Sequence, residues 1–277
     1  MPPAFLAVGH LTRDLTPQRP RLGGAAAYAA LAARRLGYPS AVLTAAAPQE
    51  VESLRRLGVA VHSLPAEVST SFENRYTPGG RRQYLRDLAP PIPAEGLPQE
   101  WRRAPLVLLA PVAREVDPSI ARLFAWALVA AAAQGWLRRW GEDGLVLPDP
   151  SGLPEEVLPL LRVLILSEED APEGRVEGWM ARVVIGVLTQ GERGGRLHWR
   201  GRWEDYPAFP ARAMDLTGAG DVFAAAFLLR YAETGHPLEA ARFASAAAAL
   251  SVQAPGPEGV PWRQEVFHHL ARQTGAD

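Results

Sequence analysis

Seven residues toward the C-terminal end of the chain, Asp215-Leu-Thr-Gly-Ala-Gly-Asp221, bring together two acids, a hydroxyl and two glycines. An apolar run of helical length follows, from Val222 to Tyr231. Glycines at the mouth of a helix leave backbone N–H groups bare, and these groups with the helix dipole attract anions. The N–H groups of Gly218, Ala219 and Gly220 form such a cradle. Asp221, in the same turn, can take a proton from a nucleophile beside the bound anion. A cradle with an adjacent base is the minimum equipment for phosphoryl transfer to a hydroxyl. Ordinary capping accounts for the same letters, with Thr217 as N-cap and Asp221 as a first-turn acid. A dinucleotide fingerprint fails because its third glycine would fall on Phe223, and a Walker A loop fails because the chain has no lysine.

A second glycine cluster lies near the start. Val8-Gly-His10 is followed by Asp14 and then by Gly23-Gly-Ala-Ala-Ala-Tyr28, which opens a small-residue helix. Together the two clusters resemble the N- and C-terminal signatures of the PfkB family, the ribokinase-like carbohydrate and nucleoside kinases. The resemblance runs over nearly the whole chain. It implies an α/β fold, a ribokinase-like three-layer sandwich with a mostly parallel central sheet and a small β lid. It implies one domain over residues 1–277, with lid strands from about 11–22 and 68–88, and a homodimer formed through the lid.

The resemblance also assigns roles. Asp221 is the general base, and the Gly218–Gly220 turn holds the charge that develops on phosphate. Asp215 and Thr217 shape the turn and touch nucleotide phosphates. Asp14 binds substrate hydroxyls, with Gly23 and Gly24 allowing close approach of ligand to backbone and Asn74, Arg75 and Gln134 as further contacts. Ser167-Glu-Glu-Asp170 stands where the family has Asn-x-x-Glu, so Ser167 falls beside the nucleotide and Asp170 serves Mg²⁺ through water. Thr189, Gly191 and Gly194 belong to the nucleotide loop, and Ala247 and Gly256 line the adenine pocket. Each position has a plainer explanation: a solvated loop acid at Asp14, a turn at Gly23-Gly24, an N-cap at Ser167, a hairpin turn at 189–194, a small-residue core helix around Ala247.

The expected activity is that of an ATP- and Mg²⁺-dependent kinase acting on a small polyol or sugar. Val8-Gly-His10, Thr70–Tyr76, Ala133-Gln-Gly135 and Leu166–Asp170 look most like the myo-inositol kinase branch. A nucleoside kinase of the same family is the alternative, since Tyr28, Phe72 and Tyr76 could form a slot for a base. A ligand-binding or regulatory protein that kept the fold and lost turnover is the alternative from another class, and the intact Asp221 argues against it.

Composition narrows the field. The chain has 277 residues, 29 basic and 30 acidic, so neither nucleic acid nor an anionic membrane is indicated as a partner. It has no cysteine, hence no disulfide framework and no thiolate chemistry. The start has no basic n-region and runs into a strand, which points to a cytoplasmic protein. Asn74 is the sole asparagine and there are 26 prolines, which suits a thermophile; codon bias in a GC-rich genome would give much the same.

Strand-length apolar runs alternate with helical ones. Strands are expected at Phe5–Val8, Ala41–Thr44, Val59–Leu64, Leu106–Leu109, Ala127–Ala132, Val163–Leu166 and Val184–Leu188. Helices are expected at Ala25–Leu36, stopped by Gly37, and at Glu50–Leu57. The alternation predicts a mostly parallel sheet with helices on both faces. Thr70–Tyr76 and Arg81–Leu85, alternating on either side of Thr77-Pro-Gly-Gly80, predict an antiparallel hairpin, which by pattern alone is an ordinary edge hairpin and which the family resemblance makes part of a lid. A lid would exclude water that otherwise competes for the phosphoryl group.

Overall fold

The computed structural model describes residues 2–16, 19–77, 80–170 and 172–274. In chain order the strands and helices are β1 (Phe5–Val8), β2 (Thr12–Leu15), β3 (Arg21–Gly23), α1 (Ala25–Arg35), β4 (Ser40–Ala45), α2 (Pro48–Arg56) and β5 (Ala60–Leu64). Then come β6 (Thr70–Thr77), β7 (Gly80–Asp87), β8 (Leu106–Leu109), β9 (Leu128–Ala132), β10 (Arg138–Trp140), β11 (Val146–Pro148) and β12 (Val163–Ser167). The C-terminal part holds α3 (Glu173–Met180), β13 (Ile185–Thr189), β14 (Gly195–Trp199), β15 (Arg202–Tyr206), α4 (Ala219–Thr234), α5 (Pro237–Ser251) and α6 (Arg263–Thr274).

The main sheet has nine strands in the order β15-β14-β13-β12-β9-β8-β1-β4-β5. From β5 to β13 all neighbours run parallel; β14 and β15 add an antiparallel edge. Its inner strands, from β4 to β13, are buried on both sides, as in a sheet covered on both faces, while the edge strands β5 and β15 are partly exposed. In β1, Phe5 and Ala7 join the core under α1, α4 and α5, while Leu6 and Val8 join the core on the other face. The long helices all lie on the first face. The second face is covered by α3 and a series of short 3₁₀ turns, including Gln99–Arg103, Pro118–Leu123 and Glu155–Leu160. The expected helices on that face are thus mostly replaced by 3₁₀ turns. Prolines are dense there (Pro90, Pro91, Pro93, Pro98, Pro111, Pro118, Pro154 and Pro159), and Pro159, inside the Glu155–Leu160 turn, removes a helix hydrogen bond.

Helix α1 stops where its glycine predicts. Gly37 takes φ 98°, its N–H reaches Arg34 O at 3.1 Å, and Tyr38 N–H reaches Ala33 O at 3.0 Å. These are the two bonds of a Schellman ending. Along α4, Phe223, Phe227 and Tyr231 stack in sequence, with Tyr206 against Phe223. Phe227 is wholly buried, and such burial stabilises by about 1.5–3 kcal/mol.

The lid is a four-stranded sheet, order β3-β2-β6-β7. The β6–β7 hairpin is antiparallel as expected, while β2 joins β6 in parallel. Pro17, Gln18, Pro78 and Gly79 lie outside the described residues, as does the side chain of Tyr76. Phe72 and Leu85 close the lid onto Val112 and Ala113 of the core, with Ala25, Trp140 and Val146 packed alongside. Trp140 and Val146 come from a β10–β11 hairpin that the sequence pattern did not show; its turn pairs with β7 through Leu85 N–H to Gly144 O at 2.8 Å. Among the described residues no helix is long and apolar enough to cross a membrane.

Candidate active site

The 214–222 segment is fixed at both ends. Met214 and Asp215 donate their N–H groups to Val252 O at 2.7 and 3.2 Å, which ties the segment to the end of α5. Asp215 then folds the turn, accepting Thr217 N–H at 2.9 Å on one oxygen and Gly256 N–H at 3.2 Å on the other. Burial works against its charge, but Thr217, Gly256 and the nearby Arg21 outweigh it and hold the carboxyl below its usual range. Gly218 caps α4 with φ 81°, and a Cβ there would sit 2.4 Å from a ring carbon of Tyr28. Glycine is therefore compulsory at 218. At Gly220 the reverse holds: a Cβ would meet nothing within 4 Å. No protein atom requires glycine there, so the space it leaves is open for a ligand.

Among the described residues the N–H groups of Gly218 and Gly220 make no hydrogen bond, whereas Ala219 N–H reaches Leu216 O at 3.4 Å. The expected three-donor cradle is thus two open donors and one partly engaged. Asp221 follows in the first turn of α4. The residue is half-buried, and desolvation pushes the pKa of its carboxyl up to about 7, with Arg138 opposing the rise and Asp14 adding to it. A carboxylate near neutrality in a cleft is suited to accept a proton.

Asp14 stands on β2. Thr12 Oγ1 donates to its Oδ1 at 3.0 Å, and a Cβ on Gly23 across the strand pair would come within 2.4 Å of its Oδ2. Gly24 has φ 101°, and a Cβ there would lie 2.4 Å from His10 O. The glycine pair thus makes room first for the Asp14 carboxylate and the adjoining chain. Asp14 and Asp221 stand near enough for the charge of Asp14 to raise the pKa of Asp221.

The remaining expected residues divide. Gln134 sits in a 3₁₀ turn after β9 and donates from Nε2 to Asp170 Oδ1 at 3.1 Å. Asp170 Oδ2 accepts Ser167 N–H at 2.7 Å. Asp170 is 7% exposed, and burial raises its pKa against the pull of Ser167, Gln134 and Arg138. Both of its oxygens are engaged within the protein, so a metal-bound water would have to share them. Among the described residues no three acids or histidines gather as a cation site. The residues present thus supply no dedicated cage for Mg²⁺, which would enter mainly on donor phosphates and water.

Thr189 Oγ1 donates to Leu166 O at 3.3 Å, and Gly191 and Gly194 turn the following loop with φ 58° and 90°. Arg193 pairs with Glu168, and Gln190 Nε2 donates to it at 3.2 Å, so this loop is tied to the Ser167–Asp170 turn. Ala247 does not line an open surface. It is wholly buried in the core beneath the helices, as a small-residue core helix requires, and Gly256 is buried with its N–H on Asp215. Asn74 shares the inward face of β6 with Phe72 and accepts from Gln83 Nε2 at 3.2 Å. Arg75 does not. It lies on the opposite face, bonded to Glu73 at 2.6 Å and over the Tyr84 ring at 4.8 Å. Strand parity decides this, since residues 72 and 74 share a face and 75 does not.

One residue went unnoticed in the sequence, and another has contacts that the sequence did not show. Arg138, on β10, donates to Val112 O at 3.4 Å and lowers the pKa of both Asp221 and Asp170, so its charge stands between them. Its only sequence signal is a position four residues past Gln134. Tyr28 was expected on the substrate side. Asp14 is the strongest charge acting on it; its ring also lies under Gly218, and its hydroxyl is 3.8 Å from where a Gly256 Cβ would be. Burial, then Asp14, Asp215 and Asp221, raise its pKa well above an ordinary phenol, so it stays a proton donor.

Residues 181–263, which include the whole Asp215–Asp221 turn, match the profile of the pfkB family carbohydrate kinases. Ribokinase from Bacillus subtilis (strain 168) is 46% identical over 86 residues, 30% of this chain and 29% of that protein. Inositol 3-kinase from Oryza sativa subsp. japonica is 31% identical over 235 residues, 74% of this chain and 56% of that protein. The sequence matches thus span about half or less of these relatives' own length. Among solved structures, a pyrophosphate-dependent kinase of the ribokinase family, complexed with a pyrophosphate analogue and myo-inositol, superposes with a TM-score of 0.81. It is 22% identical, over 96% of this chain and 99% of that one. Ribokinase from Arabidopsis thaliana, complexed with ribose and ATP, gives a TM-score of 0.74 at 21% identity, over 98% and 99% of the two chains. The fold is that of ribokinase, and the stretch that matches the PfkB family profile carries the Asp215–Asp221 turn.

Proposed function

We propose that this protein transfers a phosphoryl group to a hydroxyl of a small polyol or sugar, with myo-inositol as the leading acceptor. One observation carries the proposal. Asp221 stands at the mouth of α4 beside open N–H groups, with its carboxyl pushed up to about 7 and Asp14 close enough to couple to it. The acceptor hydroxyl attacks the terminal phosphorus of the donor in line. Its proton passes to Asp221, and the rest of the donor leaves with the bond electrons. The Gly218 and Gly220 N–H groups and the Tyr28 hydroxyl donate to the oxygens that gain charge. Arg138 supplies the cation that an absent lysine cannot. Asp14 holds acceptor hydroxyls, with the lid excluding water. Mg²⁺, bound on the donor phosphates, would supply further neutralisation of charge.

The inositol reading is supported by inositol 3-kinases among the relatives and by Gln134 beside the site. For the donor, a nucleoside triphosphate is the first reading. The buried Ala247 and the engaged Gly256 favour a second, a donor without a base, such as pyrophosphate. The test is a matrix of acceptors (myo-inositol, ribose, adenosine, guanosine, cytidine) against ATP and pyrophosphate, each with Mg²⁺ and with excess chelator. Faster turnover of a nucleoside would remove the inositol assignment and leave the kinase standing. No product in any cell of the matrix would favour a protein that binds without turnover.

A further inference from the structure

The lid joins the core at three points: the exit of β1 toward β2, the entry to β6 and the return after β7. One buried side chain touches all three. His10 Nε2 lies 2.9 Å from Pro90 O, and His10 Nδ1 lies 2.7 Å from Thr70 Oγ1. A carbonyl only accepts, so Nε2 carries the hydrogen and donates to Pro90. In that tautomer Nδ1 accepts the Thr70 hydroxyl. Thr70 Oγ1 in turn accepts Ala89 N–H, a group that only donates, at 3.0 Å. The partners thus assign one role to each atom of the chain.

The same knot is anchored to the sheet. His10 N–H donates to Glu115 Oε1 at 2.9 Å, and Glu115 also takes the N–H groups of Val112 and Ala113. The Glu115 carbonyl accepts Ile92 N–H at 2.8 Å, just past the lid's return. His10 and Thr70 are fully buried, and Glu115 is 4% exposed. Breaking one bond would leave a polar group stranded without water, which costs far more than an exposed bond.

Thr70 has a second duty. In the parallel β2–β6 pair it stands opposite Thr12, and two residues further on Asp14 stands opposite Phe72. A one-residue slip at this register would turn Asp14 to the other face of the lid. We infer that His10 is a positioning residue for the acceptor: by holding Thr70 against Pro90 and Ala89, it fixes β2 on β6 and so sets where the Asp14 carboxylate stands relative to Asp221. This rests on the proposed phosphoryl transfer only for its kinetic consequence; the positioning itself is a statement about the lid.

Three variants test it: His10→Phe, Thr70→Val and Thr70→Ser. The first two keep shape and remove the chain; the third keeps the hydroxyl. In His10→Phe and Thr70→Val, amide hydrogen exchange across residues 12–15 and 70–73 should quicken at least ten-fold, while residues 106–109 of β8 stay at the wild-type rate. With myo-inositol as acceptor, KM for it should rise about ten-fold while donor KM stays within two-fold. Thr70→Ser should behave as wild type, and the double variant should add nothing to either single one. Should His10→Phe not fold, Thr70→Val carries the test alone. Wild-type exchange in β2 of Thr70→Val, or acceptor and donor KM rising together, overturns the inference. If the wild-type protein phosphorylates no acceptor, it is the kinase reading that fails, and exchange still decides the positioning.

Discussion

The two ends of the proposed site, donor and acceptor, are assembled in opposite ways. The donor end is one contiguous segment, 214–222, folded by its own Asp215 and capped by its own Gly218. The acceptor end draws Asp14 from β2, Gly23 from β3, Asn74 from β6 and Gln134 from the turn after β9. The family profile covers the first and none of the lid. Every donor of this kind presents the same phosphate, so a short fixed turn suffices. Acceptors differ in the number and direction of their hydroxyls, and their contacts come from strands that topology, and not sequence adjacency, brings together.

The largest expected effect lies at the meeting point of the two ends. Asp221→Asn keeps the shape and cannot take the proton, so kcat should fall by about 10²–10⁴ with donor affinity nearly unchanged. Wild-type kcat in this variant would leave the donor end without its base. Next, Asp14→Ala should cost about 2–4 kcal/mol in kcat/KM through lost acceptor hydrogen bonds, while Arg75→Ala, on the outer face, should change acceptor KM less than about two-fold. Equal losses from both would show that the two faces of the lid are not distinguished as the strand parity requires.

Paired glycine variants sharpen the donor end. Gly218→Ala forces a methyl into the Tyr28 ring at positive φ and should lower stability by about 1–3 kcal/mol. Gly220→Ala meets no protein atom, so its thermal midpoint should hold or rise, by up to about 1 kcal/mol from helix propensity, while donor KM increases. A Gly220→Ala enzyme with wild-type donor KM would show that the open space there is unused.

The smallest effect is a displacement along the pH axis. Catalysis needs the Asp221 carboxylate, so kcat/KM should fall as pH drops through about 7. Arg138 pulls that pKa down, so Arg138→Met should move the acid limb to higher pH. Asp14 pushes it up, so Asp14→Asn should move the limb to lower pH. Identical limbs in wild type and both variants would mean that the acceptor and donor ends are electrically independent.

What the sequence disclosed follows the same division. The donor turn was legible because its residues are adjacent and act through their own backbone. Strands β1, β8 and the β6–β7 hairpin were legible because their apolar runs or alternation are uninterrupted. The 3₁₀ face was not, since its dense prolines do not mark what replaces the expected helices. Arg138 was invisible because an arginine beside Arg139 and Trp140 reads as surface until β10 folds against Val112. The contact of Tyr28 with Gly218 was hidden for a similar reason: the two are distant in sequence and meet only where α1 packs on α4. Arg75 carried a usable signal, the parity of Phe72, that the motif-based reading overrode.

Helices α1 and α4 pack on each other, and both are rich in wholly buried alanines: Ala26, Ala29, Ala30 and Ala33 in α1, and Ala224, Ala225 and Ala226 in α4. Side chains this small hold two backbones close with no slack to take up added volume. In a random mutational library the intolerant positions should therefore extend well behind the reacting groups. Replacing any of these alanines by valine would add bulk to a filled core, at about 1–3 kcal/mol. It would also prise the first turn of α4 from the Tyr28 ring. Such variants would read as loss of function although no atom that touches a ligand had changed, and compensating shrinkage across the helix pair should restore them.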